Sequence, residues 1–294
     1  MNILLTGGSG LIGSRLAEKL IDEGHTIRIL TREKDVEAPF YNWDKNSIDN
    51  DAFKDLDGII HLAGATISKR WTASYKKEIL DSRVCSAQLL YKYVKKNNVD
   101  LKFFISASGT GYYGQITSDK IFNENDKPGN DFLGNVCVEW ENAAYKFQDF
   151  GSRVVCIRTS VVLSKSGGAL ELMKKPIQLG LGANLGNGKQ WMPWIYIDDL
   201  VNIYAFAVQN NNMEGSYNAA APEMIDYDEF NHKLAKKMKK PFFMPNVPSF
   251  LLHLFLGEMS LLVLKGSRMS SKKIEEIGFK FSYPNLDKAL NKLV

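Results

Sequence analysis

The stretch Asn2-Ile3-Leu4-Leu5-Thr6-Gly7-Gly8-Ser9-Gly10-Leu11-Ile12-Gly13 decides how this chain folds. Its first five residues form an apolar run ended by glycine, the pattern of a short parallel strand buried on both faces. Beyond it, Leu11, Ile12, Leu16, Leu20 and Ile21 recur at helical spacing, and Gly24 stands where a helix C-terminal glycine belongs. Between strand and helix the glycines fit both GxGxxG (8, 10, 13) and GxxGxxG (7, 10, 13). Glycines here permit a tight turn, let the backbone approach a pyrophosphate, and let the helix pack close to the strand. The helix N-terminus then offers N–H groups and a positive dipole end to the anion. A dinucleotide is the expected ligand of this loop; the plainer reading is a simple strand–helix turn.

The next strand, Thr26–Leu30, selects the dinucleotide. It runs into Thr31-Arg32, and Glu33 comes one place too late to accept a bond from a ribose 2′-hydroxyl. Arg32, supported by Thr31, suits a 2′-phosphate, so NADP(H) is expected rather than NAD. Further strands are predicted over Gly58–Leu62, Phe103–Ser106 and Arg153–Leu163, with helices from Thr72 to about Lys96 and from Phe132 to Phe150. This alternation predicts an α/β fold, a doubly wound parallel sheet. A glycine-rich segment fills 165–190; Trp194–Ile197 then reads as a strand and Asp199–Val208 as a helix. The expected organisation is a nucleotide-binding domain over 1–164, completed by about 194–210. A smaller C-terminal lobe would take 165–193 and 214–294. The most apolar run, Phe250–Leu264, reads as a buried helix and is too short to span a bilayer.

Composition removes other classes. The 294 residues are 45% apolar and 24% charged, which disfavours a disordered chain. A net charge of +4 without a strongly basic pI gives no reason to expect nucleic acid as a partner. Cys85, Cys137 and Cys156 form neither a disulfide framework nor a CxxC site. His25, His61, His232 and His253 form no metal motif, and no metal is expected. The first residues lack the pattern of a signal peptide, so a cytoplasmic protein without a membrane partner is expected. The charge is unevenly spread: residues 231–294 hold 12 Lys and Arg against 4 Asp and Glu, leaving the rest of the chain at −4. Part of this is solvated helix, such as Lys236, Lys237, Lys239 and Lys240. A basic lobe beside a nucleotide cleft also favours an anionic small-molecule substrate through its long-range field.

Several residues have two readings. Arg83 shares a helix side with Ile79 and Leu90, as a cofactor contact or as half of an internal salt bridge. Lys69-Arg70-Trp71 reads as a solvated helix entry. Trp191 and Trp194 either line a pocket or pack. Asp198 and Asp199 read as helix caps, and Cys137 as a small packing residue.

The segments TGGSGLIG (6–13), HLAGATISKRW (61–71), DSRV (81–84), ISASGTGYYG (105–114), RTSVVLS (158–164), GLGANLGNGKQWMPWIYIDDL (180–200) and LFLGEMSLLVLKGSRM (254–269) cover nearly the whole chain in order. With them the chain resembles the extended short-chain dehydrogenase/reductases of the NAD(P)-dependent epimerase/dehydratase group. Within that group it is similar to the atypical epimerase-family subgroup, sometimes labelled cell-division-inhibitor-like. The resemblance implies an extended Rossmann fold with the C-terminal lobe closing over the substrate. It also implies cofactor contacts at Gly7, Gly10, Leu11, Ile12, Thr31, Arg32, Leu62, Ala63, Glu78, Arg83 and Val161, to which the glycine pattern adds Gly13. Relatives dimerise through helices equivalent to 72–96 and 132–150, so a homodimer is implied as well.

One departure from that family matters. Catalytic members carry a Ser or Thr, then Tyr-x-x-x-Lys on the following helix, with the Tyr as general acid/base. Ser108 stands at the serine position. Aligning Glu141 with the family's helix acid puts Leu133 at the tyrosine and Cys137 at the lysine. Leu has no proton to transfer, and Cys supplies no fixed positive charge at neutral pH. Hydride transfer to a carbonyl still needs a proton donor within reach of the oxygen. Tyr112 and Tyr113 remain, and Tyr113 matches the family's YG tyrosine, so Ser108 and Tyr113 are the catalytic candidates. Two functions follow: an NADP(H)-dependent oxidoreductase or epimerase-like enzyme with a non-standard catalytic set, or a non-catalytic NADP(H)-binding sensor or scaffold.

Overall fold

The structure, a computed structural model, describes residues 1–33 and 37–294. The first half alternates strand and helix: β1 (Asn2–Thr6), α1 (Leu11–Asp22), β2 (Thr26–Thr31), β3 (Phe40–Asn42), β4 (Gly58–His61), α2 (Ala73–Lys96) and β5 (Phe103–Gly109). A short β6 (Ile121–Phe122), α3 (Phe132–Tyr145), β7 (Arg153–Thr159) and β8 (Val161–Leu163) follow. Next come α4 (Ala169–Gln178), β9 (Trp194–Tyr196), α5 (Ile197–Gln209) and β10 (Gly215–Ala219). The lobe ends the chain with α6 (Tyr227–Lys237), α7 (Ser249–Leu256), α8 (Leu261–Leu264), β11 (Arg268–Met269), α9 (Lys272–Glu276) and α10 (Leu286–Leu293).

Among the described residues, seven strands form one sheet in the order β3-β2-β1-β4-β5-β7-β10. Every neighbouring pair is parallel. Strand side chains alternate between the two faces. Ile3, Leu5, Ile105, Val155 and Ile157 pack on one face with Leu16 and Leu20 of α1 and Leu200 and Tyr204 of α5. Leu4, Ile59, Phe104 and Val154 pack on the other with Leu90 of α2 and Phe147 after α3. Helices therefore cover both faces, which is why the strands read as continuous apolar runs. The chain order reverses between β1 and β4, and ligands of open α/β sheets bind at such a switch point.

The strand that completes the sheet differs from the expectation. Among the described residues, Trp194–Tyr196 does not enter the main sheet, and β9 pairs only with β8. The strand that completes the sheet is β10, from the segment expected in the lobe. Its sequence Gly-Ser-Tyr-Asn-Ala lacks a β-branched run, because Ser216 and Asn218 serve a buried polar network described below.

Two further expectations change. Asp198 and Asp199 do not cap their helix: the N-cap of α5 is Tyr196, with no side-chain bond. Asp198 instead pairs with Arg15 of α1 at 2.8 Å. Asp199, fully buried, accepts the backbone N–H groups of Ser282 and Tyr283 at 2.8 and 2.9 Å, clamping the C-terminal segment to α5. The run Phe250–Leu264 does not form a buried helix either: no residue of α7 is buried, and Phe250, Leu254 and Phe255 are exposed.

Candidate functional site

The end of β1 and the start of α1 are fitted together by glycine. Gly7 has φ +72°, and a Cβ there would lie 3.0 Å from the Leu62 carbonyl carbon. A Cβ on Gly13 would stand 2.2 Å from the Gly7 oxygen, so only glycine lets α1 sit this close to the loop. The α1 N-terminus opens at Gly10 with no side-chain cap and no acidic residue in its first turn. Its first N–H groups and the positive dipole end are thus left to an anion. The candidates Gly7, Gly10, Leu11, Ile12 and Gly13 all converge here.

Thr6 joins the loop to the end of β4. Its Oγ1 accepts the N–H groups of Leu62 and Ala63, both at 3.1 Å, and lies 2.7 Å from His61 Nδ1. With those two bonds accepted, the threonine proton goes to Nδ1. The imidazole proton therefore sits on Nε2 and faces Ser86 Oγ at 3.0 Å. Ser86 in turn donates to the Ser82 carbonyl at 2.7 Å. Burial pushes the fully enclosed His61 down to about 4, which keeps it neutral. His61 is a residue that sequence reasoning missed. Its signal was the polar end of an apolar strand beside the glycine loop, which needs a partner when buried.

On the other side of β1, the register places Thr6 opposite Leu30 of β2. Thr31 and Arg32 then leave the same edge of the sheet beside the loop. Thr31 Oγ1 accepts the N–H of Glu33 at 3.2 Å, a turn that follows Arg32, and the Arg32 side chain is exposed.

Arg83 lies under the loop after β4. It is buried on α2, and its Nη1 and Nη2 donate to the carbonyls of Ile79 and Ala65 at 2.8 and 3.1 Å. The guanidinium stacks 4.8 Å from the Trp140 ring centroid, and a Cβ on Gly64 would touch it at 3.0 Å. No carboxylate among the described residues pairs with it, so the internal salt bridge is not formed. Burial lowers its pKa accordingly. Glu78 of the same helix is exposed. Val161 opens β8, where its N–H donates to the Pro193 carbonyl at 3.0 Å. Leu11 faces the same wall: a Cβ on Gly168 would lie 3.2 Å from its Cδ2.

The catalytic candidates are engaged elsewhere. Ser108, buried near the end of β5, donates to Glu141 Oε1 at 2.7 Å. Arg158 of β7 clasps the same carboxylate through Nε and Nη2, both at 2.8 Å, and Ser216 donates to its second oxygen at 2.9 Å. Burial opposes the Arg158 charge, but the Glu141 carboxylate outweighs it and raises the pKa. The Tyr113 hydroxyl accepts from Arg158 Nη1 at 3.0 Å and donates to Asn218 Oδ1 at 2.7 Å. Tyr113 is 2% exposed, and burial raises its pKa. Its hydroxyl is thus filled by the protein and held in its protonated form. The polar strand β10 supplies the partner of this catalytic candidate through Asn218.

Leu133 and Cys137 lie against the glycines that end β5. A Cβ on Gly111 would lie 3.1 Å from Leu133 Cβ, and Cys137 Sγ is 3.6 Å from the Gly109 carbonyl. Burial, then the Glu141 charge, push the Cys137 thiol up to about 12, so no thiolate forms there at neutral pH. Trp71 departs from the solvated reading of its triplet. It is buried, its Nε1 donates to the Ile67 carbonyl at 2.9 Å, and it packs with Leu133, Met259 and Leu262. Lys69 and Arg70 stay exposed. Gln190 ties the glycine-rich segment to the lobe by donating to the Leu185 and Val263 carbonyls at 3.0 and 2.8 Å. Trp191 stacks under Arg268 at 4.7 Å, and Trp194 is buried.

Residues 3–220 match the model of the NAD dependent epimerase/dehydratase family. Residues 247–293 match that of a domain of unknown function. The chain is 37% identical to Epimerase family protein SAR0825 of Staphylococcus aureus (strain MRSA252), over 99% of this chain and 98% of that one. Among solved structures it resembles human epimerase family protein SDR39U1 (isoform2) with NADPH, at TM-score 0.89 and 30% identity, covering 100% and 99% of the two chains. It also resembles the nucleoside-diphosphate sugar epimerase from Corynebacterium glutamicum, at TM-score 0.82 and 30% identity, over 99% of this chain and 57% of that one.

Proposed function

The chain belongs to the NAD-dependent epimerase/dehydratase family, and from that premise we propose that it is an NADP(H)-binding oxidoreductase or epimerase-like protein acting on a small anionic molecule. One observation carries the reading. The uncapped N-terminus of α1 follows β1, which borders the topological switch point, and the basic end of β2, Thr31-Arg32, leaves the neighbouring strand on its other side. A pyrophosphate would sit on the first and a 2′-phosphate beside the second. The human relative solved with NADPH supports the same nucleotide.

The bound nicotinamide would supply or accept hydride. The chain's own residues divide the rest. The glycine loop would hold the pyrophosphate by backbone N–H groups, Arg32 would meet the 2′-phosphate, and Arg83 would offer its positive charge to the cofactor. Thermal unfolding with each nucleotide tests this reading, since a ligand stabilises by about RT ln(1 + [L]/Kd). NADPH should raise Tm well beyond NADH at equal concentration; equal shifts would remove Arg32 from the account.

A second reading, an NADP(H)-binding protein without turnover, is favoured by Leu133, Cys137 and the engaged hydroxyls of Ser108 and Tyr113. Nicotinamide absorbance with a panel of carbonyl compounds separates the two, joined by a product assay with nucleotide sugars because epimerisation consumes no net cofactor. Turnover of any substrate supports the enzyme; binding without turnover supports the sensor.

A further inference from the structure

The segment Pro241–Gly257, Pro-Phe-Phe-Met-Pro-Asn-Val-Pro-Ser-Phe-Leu-Leu-His-Leu-Phe-Leu-Gly, contains no Lys, Arg, Asp or Glu. It nonetheless forms surface. Phe243 is 74% exposed, Phe250 and Leu254 are 66% and Phe255 is 72%. Within α7, Phe250, Leu254 and Phe255 fall inside an arc of about 140°, since each helical residue turns by roughly 100°. The helix rests on the lobe only by its less exposed residues, and its Ser260 neighbour holds His253 Nδ1 at 2.7 Å. Phe250, Leu254 and Phe255 exposed together on one side of a helix mark a contact with something outside the chain.

Its surroundings say what that contact is. Lys236, Lys237, Lys239 and Lys240 are exposed immediately before the segment, and Lys265 after it. At the far end, a Cβ on Gly257 would lie 3.6 Å from Arg70 Nε. The nearest following acid, Glu258, is neutralised by Lys76. The apolar segment is therefore flanked by exposed lysines at both ends in sequence and meets Arg70 at Gly257. A second copy placed symmetrically on this face would bring one set of these cations against another, which disfavours a dimer here. An anionic lipid surface matches both features, taking the rings at the acyl boundary and the ammonium groups at its phosphates. No described helix is long and apolar enough to cross a membrane, so α7 would lie on the surface.

We propose that the Pro241–Gly257 segment and its flanking basic residues dock this protein on an anionic lipid bilayer. This departs from the expectation, drawn from the sequence, of no membrane partner. The test is co-sedimentation of the full chain with phosphatidylcholine vesicles, and with phosphatidylcholine vesicles containing phosphatidylglycerol. Binding is expected only to the second, reversed by high salt. It should be weakened about tenfold or more by the double variant Phe250→Ser/Phe255→Ser, and again by Lys239→Ala/Lys240→Ala. Far-UV circular dichroism and a cooperative urea-unfolding transition, retained in both variants, show that they remain folded. Two results would overturn the proposal: absence of binding to either vesicle, or equal binding to both that the Phe variants do not reduce. A concentration-dependent dimer in light scattering, abolished by Phe250→Ser/Phe255→Ser, would overturn it in favour of a second copy.

Discussion

At Arg83 a guanidinium is buried against Trp140 with two carbonyl acceptors and no carboxylate among the described residues. Desolvation makes that arrangement costly in the free protein, and an anionic ligand would offset the cost. Arg83→Leu should therefore weaken NADPH about tenfold or more while leaving the stability of the free protein within about 1 kcal/mol. Calorimetric titration and urea unfolding measure the two quantities separately; a loss of stability with unchanged affinity would return Arg83 to a structural role. His61 makes a prediction in pH. Folded, it protonates near 4; its ordinary value is 6.5. The unfolded chain binds more protons between those values, so the His61 contribution is complete above about pH 6.5 and lost as pH falls toward 4, about 3 kcal/mol in all. Stability should fall less steeply between neutral pH and about pH 5 in His61→Gln than in the unmodified chain. Parallel slopes in urea titrations across that range would refute the linkage.

At the scale of elements, Asp199 is the clearest joint, because one buried carboxylate holds two backbone N–H groups of the C-terminal segment. Burial raises its pKa while those N–H groups oppose the rise. Asp199→Ala would orphan both donors and should cost about 2–3 kcal/mol, with faster amide exchange at Ser282 and Tyr283. Unchanged exchange there would mean that the segment is held by other contacts. This joint was hidden in the sequence, where two acids at a strand–helix junction read as caps and the partners lie more than eighty residues away. The α1 turn was legible because glycine, strand and helix sit in one short window. Strand β10 was not, since Ser216 and Asn218 answer to Glu141 and Tyr113 rather than to strand propensity. The exposure of α7 was equally hidden: apolar composition alone reads as burial.

Across the whole molecule, the parallel sheet sets the glycine loop after β1 and Thr31-Arg32 after β2 at the same ends of neighbouring strands. Their roles toward a nucleotide remain with the proposal. The chemistry beyond the nucleotide was less legible, because it depends on where protons go. Ser108 sits at the expected position, yet its proton goes to Glu141, whose second partner, Arg158, lies on another strand. Tyr113 reaches inward to Asn218. Tyr113→Phe should consequently leave NADPH affinity unchanged and cost about 1–2 kcal/mol of stability by orphaning Asn218 Oδ1 and leaving Arg158 Nη1 only the Glu124 carbonyl. Weakened NADPH binding in that variant, at intact stability, would place the hydroxyl in the cleft after all. The central claim is the nucleotide itself, and calorimetric titration of the unmodified chain and of Arg32→Glu with NADPH and NADH tests it most directly. NADPH should bind the unmodified chain about tenfold or more tighter than NADH, and Arg32→Glu should abolish or reverse that preference. Equal affinities, or a preference that survives Arg32→Glu, would contradict the account.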